Sequence, residues 1–517
     1  MASPILRSLL SLNTDELYQW AAWICLLSVL YKAVRLFWKW RELVAAFRPF
    51  PGPKCHWLYG NAHEFLQIGK DLDRVLAWSQ KHQYGFPLWL GNFLACLIIT
   101  HPDYAKAVLS RQDPKDNMAY KFIVPWIGEG LLVSSGPKWF QHRRLLTPGF
   151  HYDVLKPYVK VMSDCTRVML DKFGEFGPDH SLEVFHDVSL MTLDTIMKCA
   201  FSYNSNCQTD SENTYIKSVY ELSSLVDHRF RNFLYHNDLI YSVTPHGYRF
   251  RRALREAHQH TDKVIQQRKE SLRYGKELDK VQQRRHLDFL DILLCARDEN
   301  GQGLSDEDIR AEVDTFMFEG HDTTASGISW LFYCLAKHPE HQQKCREEIR
   351  EVLGDRDCVE WEDLGKMTYT TWCIKESLRL YPPVPGIARQ LNKPITFCDG
   401  RTLPAGSVII LSIYAINRSS SLWKDPEVFD PLRFSSDNSI NRHPHAFLPF
   451  SAGSRNCIGQ NFAMNEMKVA AALTLQRFHL LPDLKNEPQK APQIVLRSLN
   501  GIRLYFKPIE RVFQDDG

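Results

Sequence analysis

The stretch Phe450-Ser451-Ala452-Gly453-Ser454-Arg455-Asn456-Cys457-Ile458-Gly459 says more about this chain than any other segment. It holds one cysteine in a loop, and Gly453 and Gly459 permit a close approach of the backbone around its sulfur. Arg455 and the start of a helix predicted at 463–478 supply positive potential, which favours a thiolate. A lone cysteine is usually inert, but a thiolate held in such a loop is suited to ligate a haem iron.

The composition excludes several classes of protein. The 517 residues are 44% hydrophobic, with 63 Lys+Arg against 60 Asp+Glu, which excludes a disordered, collagen-like or polytopic membrane chain. A net charge of +3 is too small to indicate a nucleic-acid partner. The 13 cysteines are odd in number and include no Cys-x-x-Cys pair, which argues against a disulfide framework or a zinc module. We therefore expect the bulk of the chain to face a reducing compartment.

The hydrophobic patterns predict one large, mainly α domain with a small β-rich portion. Residues 86–100 have the pattern of two short strands, and 387–417 form a second β-rich stretch. Helical spacing dominates from Pro102 to Lys337. The aromatic-rich segment 229–250 belongs either to the core or to a surface that enters lipid.

An apolar run near the N-terminus predicts a single membrane anchor. Leu17 to Tyr31 is almost free of polar side chains, and the pattern reaches Trp38 if Lys32 and Arg35 extend toward the headgroups. Acidic residues precede the run and basic residues follow it, so the positive-inside rule places the rest of the chain in the cytosol. A cleaved signal peptide has the opposite order of charge. The alternative is a buried or interfacial helix.

Prolines after this run suggest the domain boundaries. Pro49, Pro51 and Pro53 cannot continue a helix and predict a stiff linker. We expect an anchor at residues 1–45, with its membrane span at about 17–38, a linker at 46–53 and one globular domain at 54–517.

A long helix with a polar centre is predicted from Ser305 to Lys337. Ser305 and the acids that follow it have the pattern of a capping box, and ~1.5 Å per residue gives a helix of about 50 Å. Its middle holds Glu319, Asp322 and Thr323, whose spacing predicts one shared face. A polar group that is buried without a hydrogen-bond partner costs free energy. Three polar residues at the centre of a helix that we expect to be buried therefore indicate a functional site. A solvated patch on a surface helix is the alternative.

Three motifs make the chain resemble the cytochrome P-450 superfamily. The segment 450–459 matches its haem-binding signature, Phe-x-x-Gly-x-Arg-x-Cys-x-Gly, at every fixed position. Glu376 and Arg379 match the Glu-x-x-Arg pair, and Asp430-Pro431-Leu432-Arg433-Phe434 matches the later Pro-x-Arg-Phe element. The resemblance extends over nearly the whole chain and implies the cytochrome P-450 fold. It also implies that Glu376, Arg379 and Arg433 organise the fold and do no chemistry.

The centre of the long helix resembles the oxygen-activation motif of the same superfamily, usually Ala/Gly-Gly-x-Asp/Glu-Thr. Here Glu319 replaces the usual small residue, and this departure is similar to family 4. In that family the glutamate forms an ester with a methyl group of haem b during turnover. A hydrogen-bonded buried acid is the alternative for Glu319. The segments 233–238 and 244–247 look most like subfamily 4B.

The resemblance implies a role for each site residue. Cys457 would ligate the iron, Glu319 would tether the haem, and Thr323 and Asp322 would relay protons to the oxygen-binding side. His142 is expected to be a packing or surface histidine. The haem propionates need planar cationic donors, which arginine provides. The resemblance assigns the propionates to four residues, Trp139, Arg143, Arg389 and Arg455.

The resemblance also implies an activity, partners and a location. The superfamily inserts one oxygen atom of O₂ into a C–H bond with electrons from NADPH through NADPH-cytochrome P-450 reductase, and cytochrome b5 is a further expected partner. The sequence has no Gly-x-Gly-x-x-Gly fingerprint, which agrees with a separate flavoprotein. Family 4 implies ω-hydroxylation of fatty acids, and subfamily 4B adds small xenobiotics. We expect a single-pass protein of the endoplasmic reticulum membrane whose haem-thiolate monooxygenase domain faces the cytosol.

Three other functions are alternatives to the monooxygenase. A haem-thiolate isomerase or dehydratase of lipid peroxides needs no reductase, and such relatives tend to lack the acid–alcohol pair present here as Asp322-Thr323. A haem sensor or carrier would retain the Cys457 loop without a proton relay. A membrane scaffold without haem disagrees with the combined motifs. NADPH consumption with reductase and a fatty acid would separate these functions.

Overall fold

Helices make up most of the chain. The computed structural model describes residues 14–65, 67, 69–116, 120–209, 214–274, 287–297 and 301–509. The helices are α1 (Thr14–Phe47), α2 (Asp71–Lys81), α3 (Pro102–Leu109), α4 (Val124–Ile127), α5 (Gly136–Leu146), α6 (Tyr152–Leu155), α7 (Tyr158–Glu175), α8 (Val184–Ala200), α9 (Thr214–Arg231), α10 (Asp238–Ser242), α11 (Pro245–Tyr274), α12 (Phe289–Cys295), α13 (Asp306–Lys337), α14 (Pro339–Leu353), α15 (Thr368–Leu380), α16 (Ile413–Ile416), α17 (Ser436–Ser439) and α18 (Gln460–Arg477). Short 3₁₀ turns lie at Ala62–Phe65, Tyr120–Phe122, Thr147–Phe150, Phe233–His236, Trp361–Asp363 and Pro431–Phe434.

The predicted long helix is α13, and it runs through the main hydrophobic core. Ser305 caps it, since its Oγ accepts the Asp308 N–H at 3.0 Å and three acids fill the first turn. A cap of this kind contributes about 1 kcal/mol. Nearly every residue from Ile309 to Ala336 is buried, so the alternative of a surface helix is wrong. Gly320 permits close packing on α8, because a Cβ there would lie 2.9 Å from Ile196.

The strands form small sheets around this helical core, as the sequence predicts for 86–100 and 387–417. The strands are β1 (Gly85–Trp89), β2 (Ala95–Ile99), β3 (Leu182–Glu183), β4 (Gly386–Gln390), β5 (Ile395–Thr396), β6 (Thr402–Leu403), β7 (Val408–Ser412), β8 (Phe478–Pro482), β9 (Lys490–Pro492), β10 (Leu496–Ser498) and β11 (Arg503–Pro508). One sheet has the order β1-β2-β7-β4, with β2 and β7 parallel and the other pairs antiparallel. The four strands after α18 were not predicted. Two of them form a three-stranded sheet with β3, in the order β3-β11-β8, and the other two form the pair β10-β9.

The N-terminal helix α1 is apolar and exposed along most of its length. Its segment Tyr18–Phe47 has a mean hydropathy of 1.5 and buries none of its most apolar window, as expected of a membrane span. The helix continues past the end of the predicted span, to Phe47. Phe47 and Phe50 are buried in the core beside the four-stranded sheet, so the proline segment packs directly on the globule.

A buried ion-pair network joins α15 to the segment before α17. Arg379 donates from Nε and Nη2 to the two carboxylate oxygens of Glu376, both at 2.8 Å, and Arg433 Nε adds a contact of 3.2 Å. Arg379 also donates to the Asn417 and Pro426 carbonyls. The predicted three-residue network is therefore present.

Candidate haem site

The loop before α18 holds Cys457 in a constrained turn. The Cys457 N–H donates to the Phe450 carbonyl at 2.9 Å, which closes the loop on itself. Gly453 has φ +75°, and a Cβ there would lie 2.1 Å from the Leu109 carbonyl oxygen, so only glycine fits. Gly459 has an ordinary φ, and a Cβ there would lie no closer than 3.8 Å to a neighbouring atom, so the fold of the loop requires glycine at 453 and not at 459.

Cys457 faces an interior chamber. It is exposed, although the residue lies deep in the molecule. The opposite wall is the middle of α13, where Glu319, Gly320 and Thr323 are partly exposed and their neighbours on the helix are buried. A partly exposed strip in the middle of a buried helix shows that the space beside it is not filled by protein.

The charge of Glu319 acts on Cys457 across the chamber. Burial and the charge of Glu319 raise the pKa of Cys457 to about 11, against the lowering effects of the Gly459 N–H and Arg143. Burial also raises the pKa of Glu319 to about 7, against the lowering effect of Lys115. Without a further cation, the chamber therefore favours neutral forms of the acid and the thiol.

One side of the chamber carries an excess of positive charge. Burial lowers the pKa of Lys115 well below its usual value, and the nearby Arg389 and Arg455 lower it further. Burial, with the charge of Arg389, also lowers the pKa of Arg455 to about 10. Lys115 Nζ donates to the Tyr120 hydroxyl at 3.2 Å. Arg389 is buried, and Lys115 and Arg455 are half-buried. Three cations this close to one another form a site for anions, and the two carboxylates of a haem fit it.

Helix α5 supplies the contacts that hold the cysteine loop. Arg143 donates to the Asn456 carbonyl at 2.8 Å and to its side-chain oxygen at 2.9 Å. One turn earlier, Trp139 is buried, and the Arg455 guanidinium lies 4.5 Å from its ring centroid. The structure thus brings Trp139, Arg143 and Arg455 together, although the Arg143 donors are directed at the loop.

The two predicted proton-relay residues lie in different surroundings. Thr323 borders the chamber, and its hydroxyl donates to the Glu319 carbonyl at 2.7 Å. Asp322 is fully buried, and its Oδ1 accepts from Arg497 Nη2 at 2.6 Å. The predicted shared face is therefore correct for Glu319 and Thr323 and wrong for Asp322, because an arginine from β10 draws its carboxylate away.

His142 is a packing residue. It is 3% exposed, and its Nδ1 lies 2.6 Å from Glu312 Oε1 on α13. The second carboxylate oxygen of Glu312 accepts the Leu131 N–H at 3.1 Å. This contact ties α5 and the segment after α4 to the long helix, and so sets the position of Arg143 one residue later.

The sequence patterns did not indicate Lys115 or Arg497. Arg497 lies 175 residues from its partner Asp322, and no motif surrounds it. Lys115 lies outside the helices and strands of the structure, and its charge was the only signal. Tyr120, by contrast, lies in the segment 118–132, which the sequence predicts to line the pocket.

This architecture defines a haem-thiolate protein. The chamber has one cysteine on one wall, an acid and a hydroxyl on the other, and a cationic edge, which are the groups that a haem and its two carboxylates require.

Comparisons with known proteins agree with this class. The sequence model of the family "Cytochrome P-450" matches residues 50–504. Cytochrome P-450 4B1 of Rattus norvegicus is 57% identical over 501 residues, which cover 97% of this chain and 98% of the relative. Cytochrome P-450 4B1 of Homo sapiens is 56% identical over 503 residues, with 97% and 98% covered. Cytochrome P-450 4A6 of Oryctolagus cuniculus is 55% identical over 499 residues, with 96% and 97% covered.

The chain belongs to the cytochrome P-450 family and, within it, to family 4. It is a haem monooxygenase whose iron is held by a cysteine thiolate. The family resemblance drawn from the sequence and the mainly α fold with a small β-rich portion are both confirmed.

Proposed function

We propose that this protein hydroxylates fatty acids at the terminal carbon, and also oxidises small apolar xenobiotics, with electrons from NADPH-cytochrome P-450 reductase. The observation that carries the proposal is the strip of Glu319 and Thr323, which faces Cys457 inside an otherwise buried core. This arrangement places acid–base groups opposite the cysteine inside the core. Membership of family 4 supports the substrate class.

The overall reaction sets what the residues have to supply. One C–H bond, O₂, two electrons and two protons give one C–OH bond and water. The haem, when bound, supplies O₂ binding and cleavage of the O–O bond. The protein supplies the ligand, the protons, the exclusion of bulk water and the orientation of the substrate.

Cys457 is the proposed iron ligand. Burial raises the pKa of its thiol, so the thiolate needs the positive charge that a bound iron would supply. We assign the propionates to Trp139, Arg143, Arg389 and Arg455 and add Lys115, whose burial next to two arginines is otherwise unexplained. Arg143 acts mainly through Asn456, because its donors point to that residue.

Glu319 is proposed to form an ester with a methyl group of the haem. The new C–O bond would replace the carboxyl O–H bond and one methyl C–H bond. O₂ with two electrons and two protons, the reactants of the main reaction, would be the oxidant and leave as two water molecules. The position of Glu319 on the partly exposed strip of α13 supports this role, since the alternative, a hydrogen-bonded buried acid, has no side-chain partner for it in the described residues. A haem held through Glu319 would keep one position, so the pocket walls would direct a terminal methyl group of the substrate to the reactive centre despite its stronger C–H bond.

Asp322 and Thr323 are proposed to deliver the protons. In the described structure the Thr323 hydroxyl donates to Glu319 and the Asp322 carboxylate pairs with Arg497. Proton delivery therefore requires Thr323 to rotate toward the chamber and Asp322 to exchange protons while Arg497 holds one of its oxygens.

Two exposed apolar regions support membrane binding. Helix α1 is long enough to span a bilayer. On the globule, Phe233, Leu239 and Val243 are 77%, 80% and 85% exposed, which supports a lipid-facing surface for part of the aromatic-rich segment. Tyr241 and Phe250 of the same segment are buried in the core. We propose an anchor at 1–45, a linker at 46–53 and a haem-thiolate monooxygenase domain at 54–517 on the cytosolic side of the endoplasmic reticulum membrane. Cytochrome b5 is a further proposed electron donor.

Product analysis tests this function. The full-length protein with reductase and NADPH is incubated with fatty acids of short, medium and long chain. Terminal alcohols that depend on both NADPH and reductase are the expected products. No terminal alcohol from any chain length would refute ω-hydroxylation, and product formed from a lipid peroxide without reductase would indicate an isomerase instead.

A further inference from the structure

A group of buried polar atoms without hydrogen-bond partners lies beside α13, close to Asp322. Within the described residues, none of these four atoms has a partner: His321 Nε2, Asp322 Oδ2, the Tyr215 hydroxyl and His260 Nε2. His321 and Asp322 are 0% exposed and Tyr215 is 1% exposed. An unsatisfied buried polar atom costs about 1–3 kcal/mol, so four of them near one another require an explanation.

The side chains that carry these atoms are close in space and come from three helices. The Tyr215 ring, at the start of α9, lies 4.9 Å from the His260 ring of α11 and 5.9 Å from the His321 ring of α13, measured between centroids. Asp322 follows His321 directly on α13. Burial raises the pKa of the Tyr215 phenol, and the charges of Asp314 and Asp322 raise it further. Hence the three rings meet between α9, α11 and α13, with the Asp322 carboxylate near them.

Three of these four atoms have a defined role as hydrogen-bond donor or acceptor. His321 Nδ1 lies 2.6 Å from the Met317 carbonyl, which only accepts, so the ring proton is on Nδ1 and Nε2 is an acceptor. Tyr215 is a phenol with one proton to donate, and burial keeps it protonated. Arg497 occupies Asp322 Oδ1, which leaves Oδ2 as a free acceptor.

Water is the simplest group that satisfies all of these atoms. Buried polar pockets hold ordered water, whereas pockets that stay empty are apolar. A water molecule both donates and accepts, so it can join two acceptors such as His321 Nε2 and Asp322 Oδ2.

One residue of this group, His260, lies near solvent. His260 is only half-buried as a residue, although its Nε2 is fully enclosed, so the ring connects the surface of α11 with the buried region. Burial lowers the pKa of His260 to about 4, so the ring is neutral at physiological pH and carries both a donor and an acceptor.

We propose that ordered waters join His260, Tyr215 and His321 to Asp322 and carry protons from solvent to this carboxylate. In each transfer one O–H or N–H bond breaks as the next one forms, so one proton enters at His260 for each proton that Asp322 releases. Tyr215 and His321 are positioning residues that hold the waters in line. The inference rests on the proposed role of Asp322 in the monooxygenase reaction.

Tyr215→Phe tests the route because it removes the hydroxyl and keeps the ring. The matched control is Tyr241→Phe, since the Tyr241 hydroxyl is also buried without a partner but belongs to α10. The full-length holoenzyme oxidises dodecanoic acid with either reductase and NADPH or iodosobenzene, which donates one oxygen atom without added protons.

We expect Tyr215→Phe to lower reductase-driven product about tenfold, within the range that positioned proton transfer contributes, and to enlarge the solvent deuterium isotope effect. The iodosobenzene-driven rate and both rates of Tyr241→Phe should not change. An equal loss in both assays would indicate a structural defect and overturn the route, as would an unchanged Tyr215→Phe.

Two further results keep this inference separate from the proposed function. If the parent makes no alcohol from dodecanoic acid, the substrate proposal fails, and the isotope effect on NADPH oxidation still tests the proton route. A crystal structure of the holoenzyme gives a readout that does not depend on activity. Ordered waters in contact with Tyr215, His321 and Asp322 would support the route, and a dry region would overturn it.

Discussion

Replacement of Glu376 by alanine is expected to cost about 3–5 kcal/mol of folding free energy, the usual cost of breaking a buried ion pair. The carboxylate accepts two bonds of 2.8 Å from Arg379, one of 3.2 Å from Arg433 and one of 2.9 Å from the Asp430 N–H. Arg379 is 0% exposed, so the variant leaves a positive charge in the core without its counter-charge.

The size of the loss follows from what remains around Arg379. Its guanidinium still donates to the carbonyls of Asn417, Pro426 and Val428, which solvate the charge but do not neutralise it. Domains are stable by about 5–15 kcal/mol, so the expected loss is a large part of the total.

Urea unfolding of the full-length protein in detergent, followed by tryptophan fluorescence, measures this loss. Glu362→Ala is the matched control, because Glu362 pairs with Lys156 at 2.7 Å but both side chains are more than half exposed. The control should unfold at the same urea concentration as the parent. If Glu376→Ala unfolds together with Glu362→Ala, the argument that burial makes this ion pair essential is wrong.

Three further predictions follow from the site and its surroundings. Glu319→Ala should leave a haem that acidified organic solvent extracts after turnover, whereas the parent retains it; extractable haem in the turned-over parent would contradict the ester. Gly453→Ala should abolish haem incorporation, because position 453 has φ +75° and the added Cβ would lie 2.1 Å from the Leu109 carbonyl oxygen. The measurement is the absorption band of the reduced, carbon monoxide-bound, thiolate-ligated haem, which should be lost. A normal band would show that the loop can adapt. Burial raises the pKa of Glu466 from 4.5 to about 8, so its contribution to stability is complete below pH 4.5 and is lost as the pH rises through 8. Glu466→Gln should therefore lose less stability between pH 6 and pH 8 than the parent does, and equal losses in urea unfolding at the two pH values would refute the shift.

Short-range patterns were sufficient for much of the architecture. The capping residues at Ser305 and the apolar pattern to Lys337 predict α13, because capping and helical periodicity depend on neighbours within a few residues. The loop around Cys457 and the helix pair Glu376 and Arg379 are visible for the same reason.

Contacts between distant segments decided the rest. Helical spacing predicted that Asp322 shares a helix face with Glu319 and Thr323. In the structure its carboxylate pairs with Arg497 on β10 and does not border the chamber. Lys115 enters the chamber from an irregular stretch, and no periodicity predicts its position.

The sequence by itself determined the fold class, the cysteine loop and the existence of a polar centre in α13, because local spacing encodes each of them. Only the tertiary structure decided which polar groups of α13 face the chamber and which form ion pairs away from it. The direction of a buried side chain depends on the free energy of the partners that meet it, and here a partner such as Arg497 lies 175 residues away from Asp322 in the chain.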